Sequence, residues 1–213
     1  MKTFYKDNKK TDLCLFFCGW GTDERLYLHL LNDYDYLLFF DYSDLEIDIP
    51  CDYSKYSNIY LAAYSAGVGI PAIIKNKLPK IKKKIAINGS IRLMDSPSIN
   101  QEAIEASKKV NSSNYIEFRR QYLTCSEEEL KLFCDNAPLR TVESCVNEMI
   151  FLKKISQEFP NPEYCYDMLF TSKNDKFILS DIVRKEYKKF IEIEGAHFPF
   201  FRYKSLKFFI ENS

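Results

Sequence analysis

The sequence predicts an α/β protein: a mostly parallel central sheet with helices on both faces and a helical lid insertion. Three observations carry this. Apolar runs of strand length stop at glycines or turn residues, and helical stretches alternate with them. Between residues 91 and 159 glycine disappears and helical patterning takes over. Strands separated by helices pair in parallel, because a crossover returns the chain to the same sheet end.

Asp12-Leu-Cys-Leu-Phe-Phe-Cys18, ended by Gly19, is the first buried strand. Thr22–Leu31 opens with a capping threonine and an acidic first turn and then becomes apolar, which predicts a helix. Tyr36–Phe40 and Ile59–Tyr64 are the next strands. The second runs directly into Ser65-Ala-Gly-Val-Gly69 and a helical stretch to about Leu78, with Pro71 predicting a kink or an irregular first turn. Lys84–Asn88 is a fourth strand. Gln101–Val110, Tyr115–Thr124, Ser126–Cys134 and Val142–Ile155 are helical, and Pro160-Asn-Pro162 closes that insertion. Tyr164–Thr171 returns as a strand, followed by a helix over Ser180–Lys189, a short strand over Phe190–Glu194 and a closing helix over Tyr203–Glu211. Residues 1–90 and 160–213 therefore form the core and 91–159 the lid.

A chain of 213 residues fills one core and is short for two full domains. Thirty basic residues balance thirty acidic ones, so no global field advertises nucleic acid or an anionic membrane as a partner. The charged N-terminus lacks the apolar run of a signal peptide, and no stretch approaches the roughly 20 apolar residues of a membrane helix. The seven cysteines are scattered without a C-x-x-C pair, which gives a zinc site no support and predicts free thiols in a cytoplasmic setting.

The chemistry is concentrated in a few residues. Ala63-Tyr-Ser-Ala-Gly67 lies between a predicted strand and a predicted helix, the context of the nucleophile elbow of the α/β-hydrolase fold. That turn strains the serine, so the residues two before and two after it must be small; Ala63 and Gly67 are. Taken alone, the match also fits a plain serine in a tight turn. Serine needs a base, and the chain has two histidines. His29 falls among leucines in a predicted helix, where a structural role fits. His197 falls in the glycine-marked loop Gly195-Ala-His-Phe-Pro199 after the last strand. The third member should follow a late strand and precede the histidine, and Asp175 does so, with Asp181 and Asp167 as lesser candidates. Two backbone N–H groups should hold the oxyanion: that of Ala66 and, from the loop Cys18-Gly-Trp-Gly21, that of Trp20. A dinucleotide fingerprint at Gly19-Trp-Gly21 fails because Glu24 stands where the third glycine belongs. No cofactor and no metal is expected.

Phe16-Phe-Cys-Gly-Trp-Gly-Thr-Asp23, Phe39-Phe-Asp-Tyr42, Tyr64-Ser-Ala-Gly-Val68, Ile85-Ala-Ile-Asn-Gly89 and Ala196-His-Phe-Pro-Phe200 together resemble the pimeloyl-acyl-carrier-protein methyl ester esterases of the BioG type. The resemblance implies hydrolysis of the methyl ester of pimeloyl-carrier protein, releasing methanol, late in biotin synthesis. It also implies a partner, the acyl carrier protein with its phosphopantetheine arm. Tyr64 stands where the family more often has tryptophan, a change touching pocket shape. A short-chain esterase or acyl thioesterase with the same three residues, or an inactive hydrolase-like binding protein, is the alternative.

An acidic carrier calls for basic residues near the site. The lysines from Lys75 to Lys84 descend toward the opposite rim of the sheet and read as a solvated patch. Arg119 and Arg120, in the insertion, are the expected carrier or phosphopantetheine contacts, with Lys108, Lys109 and Arg140 nearby in sequence.

Overall fold

The computed structural model describes residues 1–213. Seven strands form one sheet in the order β1-β3-β2-β4-β5-β6-β7. They are β1 (Lys2–Lys6), β2 (Asp12–Phe17), β3 (Asp35–Phe40), β4 (Asn58–Tyr64), β5 (Lys83–Ile87), β6 (Met168–Ser172) and β7 (Phe190–Ile193). Only β1 runs antiparallel to its neighbour; the other pairings are parallel.

The period-two rule divides the core between the two faces of the sheet. Leu13, Leu15, Phe17, Leu37, Phe39, Leu61 and Ala63 belong to one buried cluster. Their neighbours Cys14, Phe16, Leu38, Ala62 and Tyr64 belong to the other. The central strands are apolar on both faces because helices cover both, as a mostly parallel sheet requires.

β1 escaped the sequence reading. Its residues Lys-Thr-Phe-Tyr-Lys alternate weakly and carry edge lysines, a pattern that protects an exposed strand and hides it from a search for apolar runs. A buried carboxylate ties it down. Asp35 accepts hydrogen bonds from the hydroxyls of Tyr5 and Tyr56 and from the amides of Asn8 and Lys10.

Residues 22–31 are not one helix. They form two short 3-10 turns, Glu24–Leu26 and Leu28–Leu30. The Tyr27 carbonyl is taken by Leu30 N–H, three residues on, and Leu30 offers its own to Tyr36 Oη and Leu206 N. The apolar spacing there records burial of Leu26, Tyr27, Leu30 and Leu31 and not helical continuation. The segment after β4 is broken as Pro71 predicts: a 3-10 turn at Ser65–Val68, the four-residue α1 (Ile70–Ile73) with the proline in its first turn, then another 3-10 turn at Lys75–Lys77.

Between β5 and β6 the chain forms α2 (Gln101–Lys108), α3 (Tyr115–Phe118), α4 (Glu127–Asp135) and α5 (Val142–Glu158), with a π-helical turn at Arg119–Leu123 after α3. Asn100, Ser126 and Thr141 cap α2, α4 and α5 through their side chains. Ala103, Ile104, Phe118, Tyr122, Leu152 and Ile155 pack into the first cluster. β6 starts at Met168 and not Tyr164, because the Asn161-Pro-Glu-Tyr approach stays irregular. Downstream, α6 (Ser180–Val183) gives way to a 3-10 turn at Arg184–Glu186, and α7 (Lys207–Glu211) starts four residues later than its pattern suggests.

Replacing Asp35 by alanine removes the acceptor of four donors at once, only the Tyr56 hydroxyl belonging to a buried residue, and hydrogen bonds to a charged group are worth about 1.5–3 kcal/mol each. Urea unfolding of Asp35→Ala should show a loss of about 3 kcal/mol or more. A loss below about 1 kcal/mol would contradict the anchoring role of this carboxylate.

Candidate active site

β4 delivers Ser65 to the carboxyl edge of the sheet in a left-handed conformation, with φ of +53°. A non-glycine residue is held there only if its surroundings over-determine it. They do so by close approach. A β-carbon on Gly67 would overlap the carbonyl oxygens of Phe17 and Cys18, and one on Gly89 would overlap the carbonyl of Ser65. The chains beside the serine can approach so closely only because these two positions are bare.

Ser65 Oγ lies 2.9 Å from Nε2 of His197. On the other side of the ring, Nδ1 lies 2.9 and 3.1 Å from the two carboxylate oxygens of Asp175. Asp175 Oδ1 also accepts the amides of Phe177 and Ile178, both at 2.8 Å. His197 is 2% exposed, and its imidazole stacks on Phe177 at 4.9 Å between ring centroids. Three side chains spread over 132 intervals of sequence thus share one hydrogen-bonded line. The lesser candidates do not approach it. Asp167 accepts the amide of Lys84 at the opposite end of β5, and Asp181 sits exposed beside Arg184. His29 lies at the surface, bonded to the Phe200 carbonyl and stacked on Phe201.

Asn88, which no chemical motif singled out, holds this geometry from behind. Fully buried and itself at φ of +43°, it donates to the carbonyl of His197 at 2.9 Å and to Ser172 Oγ at 2.8 Å, and accepts the Ser172 amide at 2.7 Å. One side chain therefore links the end of β6 to the histidine loop. Its signals in the sequence were its place beside Gly89 after a buried strand and the Ile85–Gly89 segment shared with the resembled family, neither of which gives it a role.

The loop Gly19–Asp23 faces Ser65 and is held from the helical insertion. Glu148 on α5 accepts the amides of Gly21 at 2.9 Å and Tyr42 at 3.0 Å, and pairs with Arg140. Trp20 Nε1 donates to the Cys145 carbonyl at 2.8 Å, and Asp23 accepts the amide of Leu139 at 2.7 Å. Burial pushes the Glu148 carboxyl above its ordinary range, against the pull of Arg140 and the two amides. The backbone N–H of Trp20 makes no hydrogen bond, and Ala66 sits in the first turn after β4, where N–H groups lack helical partners.

A mainly apolar cavity opens over Ser65 and His197, walled by both the sheet edge and the insertion. Tyr64 lines it, as do Arg92, Arg119 and Arg140. The arginines differ sharply. Arg140 is neutralised by Asp41 and Glu148. Arg92 is half-buried. Arg119, expected to contact the carrier or its phosphopantetheine, is 1% exposed and lines the cavity. Its guanidinium carbon lies 3.5 Å from the ring centre of Tyr115 and 4.3 Å from that of Phe133, while Nε and Nη2 have no hydrogen-bond partner. Stacking of this kind returns about 2 kcal/mol, less than the several kcal/mol that desolvating a cation costs. Arg119 therefore cannot meet an acidic protein surface. Arg120 is exposed but already paired with Glu117 and Glu127. The lysines Lys75 to Lys84 end at the start of β5, the rim opposite Ser65, as the geometry of descent predicted.

The profile of the family described as pimeloyl-ACP methyl esterase BioG matches residues 1–207. The chain belongs to that family. The crystal structure of BioG from Haemophilus influenzae superposes with a TM-score of 0.83 at 24% identity, covering 97% of this chain and 98% of that one. A lipase-esterase related protein of Clostridium acetobutylicum superposes at 0.59 with 17% identity, covering 91% and 90%. The fold of this BioG family member is that of the α/β-hydrolases. A Bacteroides fragilis protein named malonyl-[acyl-carrier protein] O-methyltransferase is 27% identical over 198 residues. That match takes in 89% of this chain and 40% of the longer relative. No helix is long and apolar enough to cross a membrane.

Trp20 is the chain's single tryptophan, so its emission reports on this BioG loop alone. In Glu148→Ala, Arg140 loses one of two counter-charges and two amides lose their acceptor. Breaking such a buried pair costs about 3–5 kcal/mol. The expected outcome is a lower unfolding free energy with a red-shifted, broadened Trp20 emission in the native state. Emission identical to wild type would show that Glu148 does not hold the loop.

Proposed function

We propose that this protein is a serine carboxylesterase that hydrolyses the methyl ester of pimeloyl-[acyl-carrier protein], releasing methanol and the carrier-linked acid. The observation that carries the reading is the hydrogen-bonded line from Ser65 through His197 to Asp175 at the floor of an apolar cavity. Ser65 attacks the ester carbonyl while His197 Nε2 takes its proton. Asp175 holds the ring in the tautomer with the proton on Nδ1 and stabilises the imidazolium. The N–H groups of Trp20 and Ala66 receive the oxyanion, each worth about 3 kcal/mol in such sites. The tetrahedral intermediate collapses as His197 returns the proton to the departing methoxide, and methanol leaves. Water, deprotonated by the same nitrogen, then attacks the acyl-serine ester, and the serine regains its proton as the acid departs.

Membership of the BioG family supports the substrate. So does the Bacteroides relative, whose name describes methyl transfer to a carrier-bound diacid, the chemistry that makes the bond proposed to be cleaved here. The partner is then the acyl carrier protein, its phosphopantetheine arm entering the cavity between sheet edge and insertion, with residues 91–159 acting as the lid. The seven free cysteines fit a cytoplasmic setting.

Methanol release from methyl pimeloyl-carrier protein tests the reading. Ser65→Ala should abolish it, and Asp175→Asn should lower kcat by about 10⁴-fold with little change in KM. Undiminished release by Ser65→Ala would overturn the mechanism, and no release by the wild type would overturn the substrate.

A further inference from the structure

Arg119 is a buried cation for which the protein supplies no counter-charge. The rings of Tyr115 and Phe133 pack against it at 3.5 and 4.3 Å from the guanidinium carbon, and Nε and Nη2 have no acceptor. No aspartate or glutamate lines the cavity it faces. Its neighbour in sequence points outward into two glutamates, and Arg140 across the cavity is doubly paired. A lone guanidinium in this position is out of balance until something brought into the cavity completes it.

Its place narrows what that is. Phe133 packs against Phe198 at 5.0 Å between ring centroids, and Phe198 follows His197 directly. The guanidinium therefore stands one aromatic layer from the histidine loop, in the wall of the cavity that opens on Ser65. It also begins the π-helical turn Arg119–Leu123, a local widening of the kind that recurs at functional sites. Apolar side chains make up most of the remaining wall.

We propose that Arg119 is a specificity-determining residue that binds a second acceptor oxygen, a carbonyl or carboxylate, carried several carbons from the scissile ester. The substrates selected are then methyl esters of bifunctional acyl chains and not of plain fatty acids. This rests on the esterase reading of Ser65. On a carrier-linked chain the second oxygen is the thioester carbonyl; on a free half-ester it is the carboxylate. Apolar walls alone discriminate weakly between chains, whereas a buried donor left unpaired rejects a ligand that lacks the acceptor.

The test compares three soluble esters of equal chain length: methyl heptanoate, dimethyl pimelate and monomethyl pimelate. Wild-type kcat/KM should favour at least one of the two bifunctional esters over methyl heptanoate by about 100-fold or more, and which one identifies the oxygen as carbonyl or carboxylate. In Arg119→Met that preference should collapse toward unity, and Arg119→Lys should restore part of it. Equal turnover of all three esters by the wild type overturns the anchor without needing any variant to fold. A preference that survives in folded Arg119→Met overturns it as well. No turnover of any ester, together with no labelling of Ser65 by a fluorophosphonate, instead removes the esterase reading beneath it.

Discussion

The left-handed backbone at Ser65 is the constraint on which the site depends. It lifts the hydroxyl clear of the sheet and turns it toward His197, and it is tolerated because the chain segments around it pack too closely to permit another path. Gly67 lets that turn press against the ends of β2, and Gly89 lets the loop after β5 pass the Ser65 carbonyl. The same loop carries Asn88, which fixes the histidine segment. Strain at one residue is thus offset by close packing and hydrogen bonding across three strands.

The insertion does more than cover the cavity. Through Glu148, Cys145 and Leu139 it holds the loop that faces the serine, so the geometry of the Trp20 amide is set from outside the sheet. Its two buried arginines show opposite electrostatic solutions. Arg140 is satisfied within the protein, and its network stiffens the structure. Arg119 is left with aromatic faces only, which makes its part of the wall receptive to an acceptor. Buried charge is costly in either arrangement, and the difference lies in whether the protein or its ligand supplies the partner.

Much of this was legible in the sequence because it depends on local rules. Buried strands announce themselves as apolar runs, and the small residues Ala63 and Gly67 flag a tight turn about Ser65. Two histidines make the choice of base short, and the order of Ser65, Asp175 and His197 along the chain matches the order of strands. What stayed hidden depends on distant partners. β1 is an edge strand whose fixing carboxylate lies 30 residues from Tyr5. The apolar spacing of 22–31 suits a helix, yet local i→i+3 hydrogen bonds close it as two separate turns whose apolar side chains are held by burial. Glu148 and Asn88 look like ordinary polar residues until the loops they bridge are seen together. Arg119 and Arg120 are indistinguishable as neighbouring letters, and only the packing of the insertion shows that one turns inward and the other stays at the surface.

The most direct test of the central claim is the site and stoichiometry of covalent labelling by a fluorophosphonate, mapped by peptide mass spectrometry. If the fold makes one ordinary hydroxyl reactive, a single equivalent should attach to Ser65, and the reaction should slow by orders of magnitude in His197→Ala. An adduct on another residue, or labelling of Ser65 that proceeds equally well without the imidazole, would contradict the account.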